Sequence, residues 1–384
     1  MPQNNTMNDA SPALAAGGVR SPSDAEAVTL LEDAVRTPSL SGDESRVAAL
    51  LVERMSSFGF DAEVDPAGNA VGVLGDRSPG AAEIVLLGHM DVVPGVVPVR
   101  REGDLLFGRG TVDAKGPLCA FVIAAARATA AGLPPGVRLV VAGVVEEESA
   151  SSKGARHIAA SRRPAACFIG EPSHHDGVTL GYKGRLLLEF VYRLTVAHTS
   201  RPDASAAELA AEWWRCVPAL AREKSLNGKT VFDSIQASLR AFNTSSDGLH
   251  DEARLTIGFR LPPGVDPHEI ESACRTLAPS DAQITASGHE VAHVADRNNP
   301  VVRALTTSIR AAGLTPAVRV KTGTSDMNVV APIWKCPIAA YGPGDSALDH
   351  TPQEHVSVTE YLSAIGVLTG ALGKLGAELA ETHS

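Results

Sequence analysis

From Ser23 onward the apolar positions first recur with a helical period. VTLLEDAV follows Ser23-x-x-Glu26, and RVAALLVERM follows Ser41-x-x-Glu44. Both openings have the form of a capping box, so two helices are predicted, the second stopped by Gly59. The pattern then shortens. Val71–Leu74, Ile84–Gly88, Val137–Val145 and Ala166–Gly170 are brief, nearly continuous apolar runs that read as strands, with helices at Pro117–Ala131 and Ser152–Ala160. Apolar strands that alternate with helices predict an α/β sheet covered on both faces. Near Arg185 the rhythm changes. Strand Arg185–Ala197, helix Ala204–Arg222, strands Ser234–Phe242 and Ala253–Leu261, helix Asp266–Leu277 and strand Ala282–Ala286 give the ferredoxin-like order β-α-β-β-α-β. From Asn298 a helix, strands Ala317–Val320 and Ile338–Tyr341, and a final helix after Ser357 restore the α/β order. The expected plan is one α/β domain over 21–184 and 296–384, a mixed sheet covered by helices, interrupted by a smaller α+β domain over 185–295. Residues 1–20 have no charged segment followed by an apolar core and read as a disordered tail, not a signal peptide.

Composition narrows the function classes. A chain of 384 residues is long for one core and suits two domains. Lys and Arg total 34 against 44 Asp and Glu, a net charge of −10 that argues against a general nucleic-acid binder while leaving room for a local basic patch. Apolar residues at 44% and charged residues at 20% exclude bulk disorder. Five cysteines without a C-x-x-C pair argue against a disulfide framework and a thiolate metal site, and fit reduced thiols in the cytoplasm. No stretch is expected to approach the ~18 apolar residues of a membrane span.

The candidate chemistry lies at strand ends. His89-Met90-Asp91 closes strand Ile84–Gly88, and an extended i, i+2 pair lets Asp91 accept from the spare nitrogen of a metal-bound His89. A histidine satisfied at a strand end has the same pattern. GRGTVDAKG at 108–116 resembles a dinucleotide loop, but Asp113 stands where the third glycine belongs and its charge would repel a pyrophosphate. Asp113 is either a helix cap or a carboxylate held close to a cation. Glu146-Glu147-Glu148 is either a solvated charge run or a set of carboxylates that divides metal ligation and general-base work. Glu171, in GEP, and His350, in DHTP, also follow apolar strands. Two histidines and several carboxylates at one sheet edge suit a zinc pair with one bridging carboxylate, the arrangement that activates water for amide hydrolysis.

GHMDVVPG, GRGTVDAKGP, EEESASSKGA, IGEP and DHTP, in that order, resemble the dinuclear zinc amidohydrolases that include acetylornithine deacetylase and succinyl-diaminopimelate desuccinylase. TLGYKGRL, KTGTSDMN and YGPGDSALDHTPQEH look most similar to the members that release lysine or ornithine from an amino-group carrier protein. The resemblance implies a zinc-peptidase-like catalytic domain interrupted by a lid that also dimerises. It implies two zinc ions per subunit, with Co²⁺ as a possible substitute. Asp113 would bridge them, His89 and Glu171 would complete one shell, and Glu148 and His350 the other. Asp91 would hold His89, and Glu147 would be the general base. Glu146 leaves the frame of this assignment open, although the 35-residue interval from Asp113 to Glu148 matches the family's spacing better. His198, in VAHTSRP, resembles the lid histidine that reaches a partner subunit's site; a surface histidine is the plainer alternative. Asn243 and Arg260 match positions that bind a substrate carboxylate, and Gly323 and Thr324 match a substrate-contacting loop. Lys183 reads as a solvated turn residue.

A serine mechanism is set aside: Lys321-Thr322-Gly323 matches a β-lactamase-type K-T-G, but the chain has neither S-x-x-K nor G-x-S-x-G. The expectation is therefore a cytoplasmic homodimeric zinc amide hydrolase acting on an acidic carrier protein, with no nucleic acid or membrane partner. A deacylase of free N-acyl amino acids is the alternative. For carrier docking, positive charge is expected from Arg100, Arg101, Lys153, Arg156, Arg162, Arg163 and Arg185.

Overall fold

The computed structural model describes residues 18–196, 203–225 and 229–383. The chain runs α1 (Asp24–Arg36), α2 (Ser45–Ser57), β1 (Asp61–Val64), β2 (Ala70–Gly75), β3 (Ala82–His89), β4 (Arg100–Glu102), β5 (Leu105–Phe107), α3 (Lys115–Ala130), β6 (Val137–Val144), α4 (Lys153–Ser161) and β7 (Ala166–Gly170). It continues through β8 (Gly177–Tyr182), β9 (Gly184–Thr195), α5 (Ala206–Lys224), β10 (Gln236–Ser246), β11 (His250–Leu261), α6 (Pro267–Thr276), β12 (Gln283–Glu290) and β13 (His293–Val294). The last elements are α7 (Pro300–Ala311), β14 (Ala317–Lys321), α8 (Met327–Trp334), β15 (Ile338–Ala340), β16 (His355–Ser357) and α9 (Val358–His383).

A nine-stranded mixed sheet has the order β1-β2-β6-β3-β7-β15-β8-β13, with β14 joined to β8. β6, β3 and β7 run parallel, with Gly88 opposite both Gly143 and Gly170. Their carboxyl ends are therefore level, and the residues that follow each strand emerge at one edge. That is where open α/β sheets place ligand sites. Gly170 also lets α3 approach closely, since a Cβ there would lie 2.9 Å from a Phe121 ring carbon. α3 is buried along nearly its whole length, as its unbroken apolar sequence requires. It packs with α1, α2, α7 and α9 on one face of the sheet, while α4 and α8 cover the other. The four-stranded sheet, β10-β11-β9-β12, draws all its strands from 184–290 and buries a separate core under α5 and α6.

Local signals are honoured where no distant partner competes. Ser23 caps α1: its Oγ accepts from the Glu26 N–H at 3.3 Å, and Glu26 Oε2 accepts from the Ser23 N–H at 2.8 Å. The second expected capping box does not form. Ser41 Oγ donates instead to Asp91 Oδ2 at 2.6 Å, and Glu44 Oε1 accepts from the N–H groups of Gly42 and Glu146 at 2.9 and 3.1 Å. Buried acceptors and donors at the sheet edge outcompete a helix cap near the surface.

Three further expectations need correction. Of the tail, residues 1–17 lie outside the described residues, but 18–20 are anchored: Val19 packs on the core and Arg20 Nη1 lies 2.6 Å from Glu26. α9 is apolar enough over Val358–Thr382 (mean hydropathy 1.3) to pass for a membrane span by length and composition. Here one face of it, including Tyr361, Leu368 and Leu375, is buried against α3 and α7. Lys183 is no solvated turn residue. It is fully buried, and its Nζ donates to the carbonyls of Val231 and Ser234 and to Gln236 Oε1.

Candidate metal centre

The site is assembled from five chain segments that meet at the carboxyl edge of the main sheet. His89, the last residue of β3, is buried. Its Nδ1 lies 3.0 Å from the Asp91 carbonyl and 3.5 Å from Asp91 Oδ1, which leaves Nε2 facing Asp113 Oδ1 at 3.1 Å. Asp91 does more than hold this imidazole. Its carboxylate also accepts the N–H groups of Glu147 and Glu148, both at 3.0 Å, and so fixes the backbone after β6. That turn decides the order of the three glutamates. Glu146, at φ 59°, faces Ser151 and Lys153, whereas Glu147 and Glu148 line the pocket.

Asp113 sits on the glycine-rich loop before α3, and Glu354 pins that loop. Glu354 is fully buried. Its Oε1 accepts the N–H groups of Gly110, Val112 and Asp113 at 2.8, 3.1 and 3.2 Å, and its Oε2 pairs with Arg109 at 2.7 Å. Asp113 thereby presents its two oxygens to two different histidines. Oδ1 faces His89, and Oδ2 lies 3.0 Å from His350 Nε2, which is itself 2.9 Å from Glu148 Oε1. A carboxylate shared between two imidazole-carboxylate groups is what a bridging ligand requires. Glu171, after β7, completes the floor and accepts no hydrogen bond at its carboxylate among the described residues.

The electrostatics favour positive charge among these acids. Burial, reinforced by Asp113, pushes the Glu171 carboxyl up to about 8 and Asp349 up to about 9. Burial likewise lifts Glu147 well above its usual range and Asp326 to about 7. Burial would raise Asp113 too, but hydrogen bonds from His350 and His89 hold it down. His350 is raised to about 10 by hydrogen bonds to Asp113 and Glu148. Asp349 Oδ1 and both oxygens of Asp326 are buried without a hydrogen-bond partner among the described residues. So many acids held together in burial are reconciled by cations among them. The nitrogen and oxygen donors of Asp113, Glu148 and His350 lie within 4.8 Å of one another, a set that suits a borderline divalent ion.

Above this floor is a cavity of about 660 Å³. Arg260, Gly323 and Thr324 line it, and Arg260 Nη1 donates to Thr324 Oγ1 at 2.5 Å. Asn243 does not line it. It is exposed on β10, paired with Arg254 of β11. His198 lies outside the described residues. The expected basic docking patch is largely neutralised. Arg100 pairs with Glu102, Arg101 with Glu32, Lys153 with Glu146, Arg162 with Glu83, and Arg156 and Arg185 with Glu290. Arg163 donates to backbone carbonyls. Sequence reasoning missed Glu354, Asp326, Asp349, Arg240 and Arg319. Of these, Glu354 and Asp349 carried a signal through their closeness to His350, and Asp326 through its place in KTGTSDMN.

A mixed α/β sheet with a two-centre carboxylate-histidine cluster at its carboxyl edge defines a dinuclear metallohydrolase architecture. The family model for peptidase family M20/M25/M40 matches residues 85–374, and the chain belongs to that metal-dependent hydrolase family. The LysW-lysine hydrolase of Deinococcus radiodurans is 47% identical over 355 residues, covering 90% of this chain and 96% of that protein. An M20-family metallo-carboxypeptidase from Sulfolobus solfataricus superposes with a TM-score of 0.73 at 20% identity, covering 92% of this chain and 99% of that one. A dinuclear metal-binding peptidase of the M20 family from Bacillus subtilis superposes at 0.63 with 12% identity, covering 94% and 99%.

Proposed function

We propose that the protein is a zinc-dependent amide hydrolase. It releases a lysine- or ornithine-like amino acid from the γ-carboxyl of the C-terminal glutamate of an acidic amino-group carrier protein, and acts as a cytoplasmic homodimer. The observation that carries the chemistry is Asp113, whose two oxygens face His89 and His350, with the Glu147 carboxylate, which has no hydrogen bond among the described residues, in the same pocket. The carrier-linked substrate is supported by the likeness to the Deinococcus radiodurans protein.

His89, Asp113 and Glu171 would hold one zinc, and Asp113, Glu148 and His350 the other, with cobalt as a substitute. A metal pair held there would supply Lewis acidity for the scissile carbonyl and for the attacking water. Glu147 takes the proton from the attacking water. Its raised affinity for protons suits it to keep that proton and then return it to the departing α-amine. Asp91 holds His89 and the Glu147 backbone in one register, so the ligand and the base are positioned together. His198, supplied by the partner subunit's lid, donates a hydrogen bond to the oxyanion.

The test compares carrier-linked lysine with N-acetylornithine on the zinc-loaded enzyme. Turnover of the carrier conjugate with a kcat/KM at least about 10-fold higher is expected, corresponding to one lost charge-assisted contact on the acyl side. Equal or preferred turnover of N-acetylornithine would make the protein a deacylase of free N-acyl amino acids.

A further inference from the structure

Among the described residues, three guanidinium groups in the pocket have no anionic partner within ion-pair distance. Arg260 on β11 donates to a hydroxyl only, at Thr324. Arg240 on β10 and Arg319 on β14 make no hydrogen bond or ion pair among the described residues. The other pocket cations are engaged: Arg185 lies 3.1 Å from Glu290, and Lys321 donates to the Pro172 carbonyl.

The backbone has been adjusted to bring Arg240 there. The β10–β11 register slips between Leu239↔Ile257 and Ala241↔Thr256, so Arg240 is the extra residue of a bulge. Bulges re-aim a side chain, and they concentrate next to active sites. The Arg240 side chain lies across Gly258, where a Cβ would sit 2.9 Å from Nε. Gly258 thus makes room for Arg240 on the same strand as Arg260, two residues on. Burial, and then the neighbouring charges of Arg185 and Arg240, hold Arg260 below the usual guanidinium range, a sign that these cations are close. Arg319 faces the same cavity from the catalytic wall. Glu147 and Glu148 of the floor offset part of this charge at Arg260, but among the described residues no carboxylate pairs directly with any of the three, and clustered like charges favour an added anion. A single carboxylate can take one guanidinium on each oxygen, as Glu290 does with Arg156 and Arg185, so three from two walls leave donors for a second anion.

We infer that the pocket is built for a substrate with a carboxylate on each side of the scissile amide, and that Arg240 and Arg319 form a second anion subsite for the carboxylate that Arg260 does not take. The inference rests on the hydrolase reading above and assigns the residues that recognise the acyl-side carboxylate of that substrate. The acyl half is a γ-glutamyl group with a free α-carboxylate, and the amine half is an α-amino acid with its own. An N-acetyl amino acid carries only one carboxylate and leaves this subsite empty.

The test uses the zinc-loaded enzyme and two synthetic peptides. Each ends in glutamate whose γ-carboxyl is joined by an amide bond to the lysine α-nitrogen. In one the glutamate α-carboxylate is free, and in the other it is a carboxamide. For the parent enzyme, amidation should lower kcat/KM about 10- to 100-fold, the loss of a charge-assisted contact. Arg240→Gln and Arg319→Gln should show a similar loss on the free carboxylate but less than about threefold on the carboxamide, because the lost partner is then already absent. Arg→Lys at each position should recover part of the loss on the free carboxylate alone. The inference is overturned if the parent enzyme ignores amidation, or if the Gln variants weaken both peptides by one factor. If neither peptide is cleaved while N-acetyllysine is, the carrier-substrate reading itself fails and the subsite falls with it.

Discussion

Glu354→Ala offers the sharpest test of how the bridging aspartate is held. Glu354 is fully buried and ties three backbone N–H groups of the 108–113 loop to Arg109, whose side chain is 12% exposed. Removing it strands those donors and leaves the guanidinium unpaired. Each orphaned donor costs about 1–3 kcal/mol, and breaking a buried ion pair from one side costs about 3–5 kcal/mol. Water entering the vacated space relieves several of these at once, so a total of about 3–5 kcal/mol is expected. With about 2.1 cal/mol/K of unfolding entropy per residue over 384 residues, that is a fall of roughly 4–6 °C in Tm. The freed loop carries Asp113, so metal affinity should fall about 10- to 100-fold. Thermal unfolding with and without metal, together with chelator competition, measures both. Arg77→Ala is the reference, since it breaks only an exposed 2.8 Å pair with Asp61 and should cost under about 1 kcal/mol. A Glu354→Ala protein no less stable than Arg77→Ala, with unchanged metal affinity, would refute the pinning role.

Two other predictions follow from the same site. Glu147→Ala should keep its metal content and lower turnover by a factor of about 10²–10⁴; near-native turnover would remove Glu147 as the base. The metal-free protein should lose stability as pH rises. Glu171, Asp349 and His350 titrate near 8, 9 and 10 in the fold, each above its ordinary value. The folded state therefore binds more protons than the unfolded chain across that interval, and it is penalised as they leave. Urea midpoints taken at about pH 5.5 and pH 8.5 should fall with pH without metal and lose that trend with metal, since bound cations keep the ligands deprotonated. A metal-free midpoint that rises with pH would contradict the electrostatic account.

The sheet and its chemistry were largely legible because their signals are local. Apolar runs such as Ile84–Gly88 and Val137–Val145 became β3 and β6, and the polar residues that close them stand at one edge because the strands are parallel and in register. β8 was missed because its sequence, GVTLGY, has glycines where a strand signal needs bulk. α8 was missed because MNVVAPIW is short and contains Pro332. Ser41 and Glu44 have the same spacing as Ser23 and Glu26, yet only the latter pair forms a capping box, because Asp91 and the Glu146 N–H compete for the former. Burial is set by tertiary neighbours and not by the residue, so nothing in the sequence separated buried Lys183 and Asp326 from exposed counterparts. Arg240 depends on a bulge that no periodicity reveals. The surface arginines expected to guide a carrier were read without the acids folded beside them.

Metal stoichiometry tests the central claim most directly. Native mass spectrometry of the zinc-reconstituted protein should show two ions per chain. Asp113→Asn should lose both, while Glu171→Gln and His350→Ala should each retain one. A single ion in the parent protein, or an Asp113→Asn variant that still holds two, would contradict an aspartate shared between two cations.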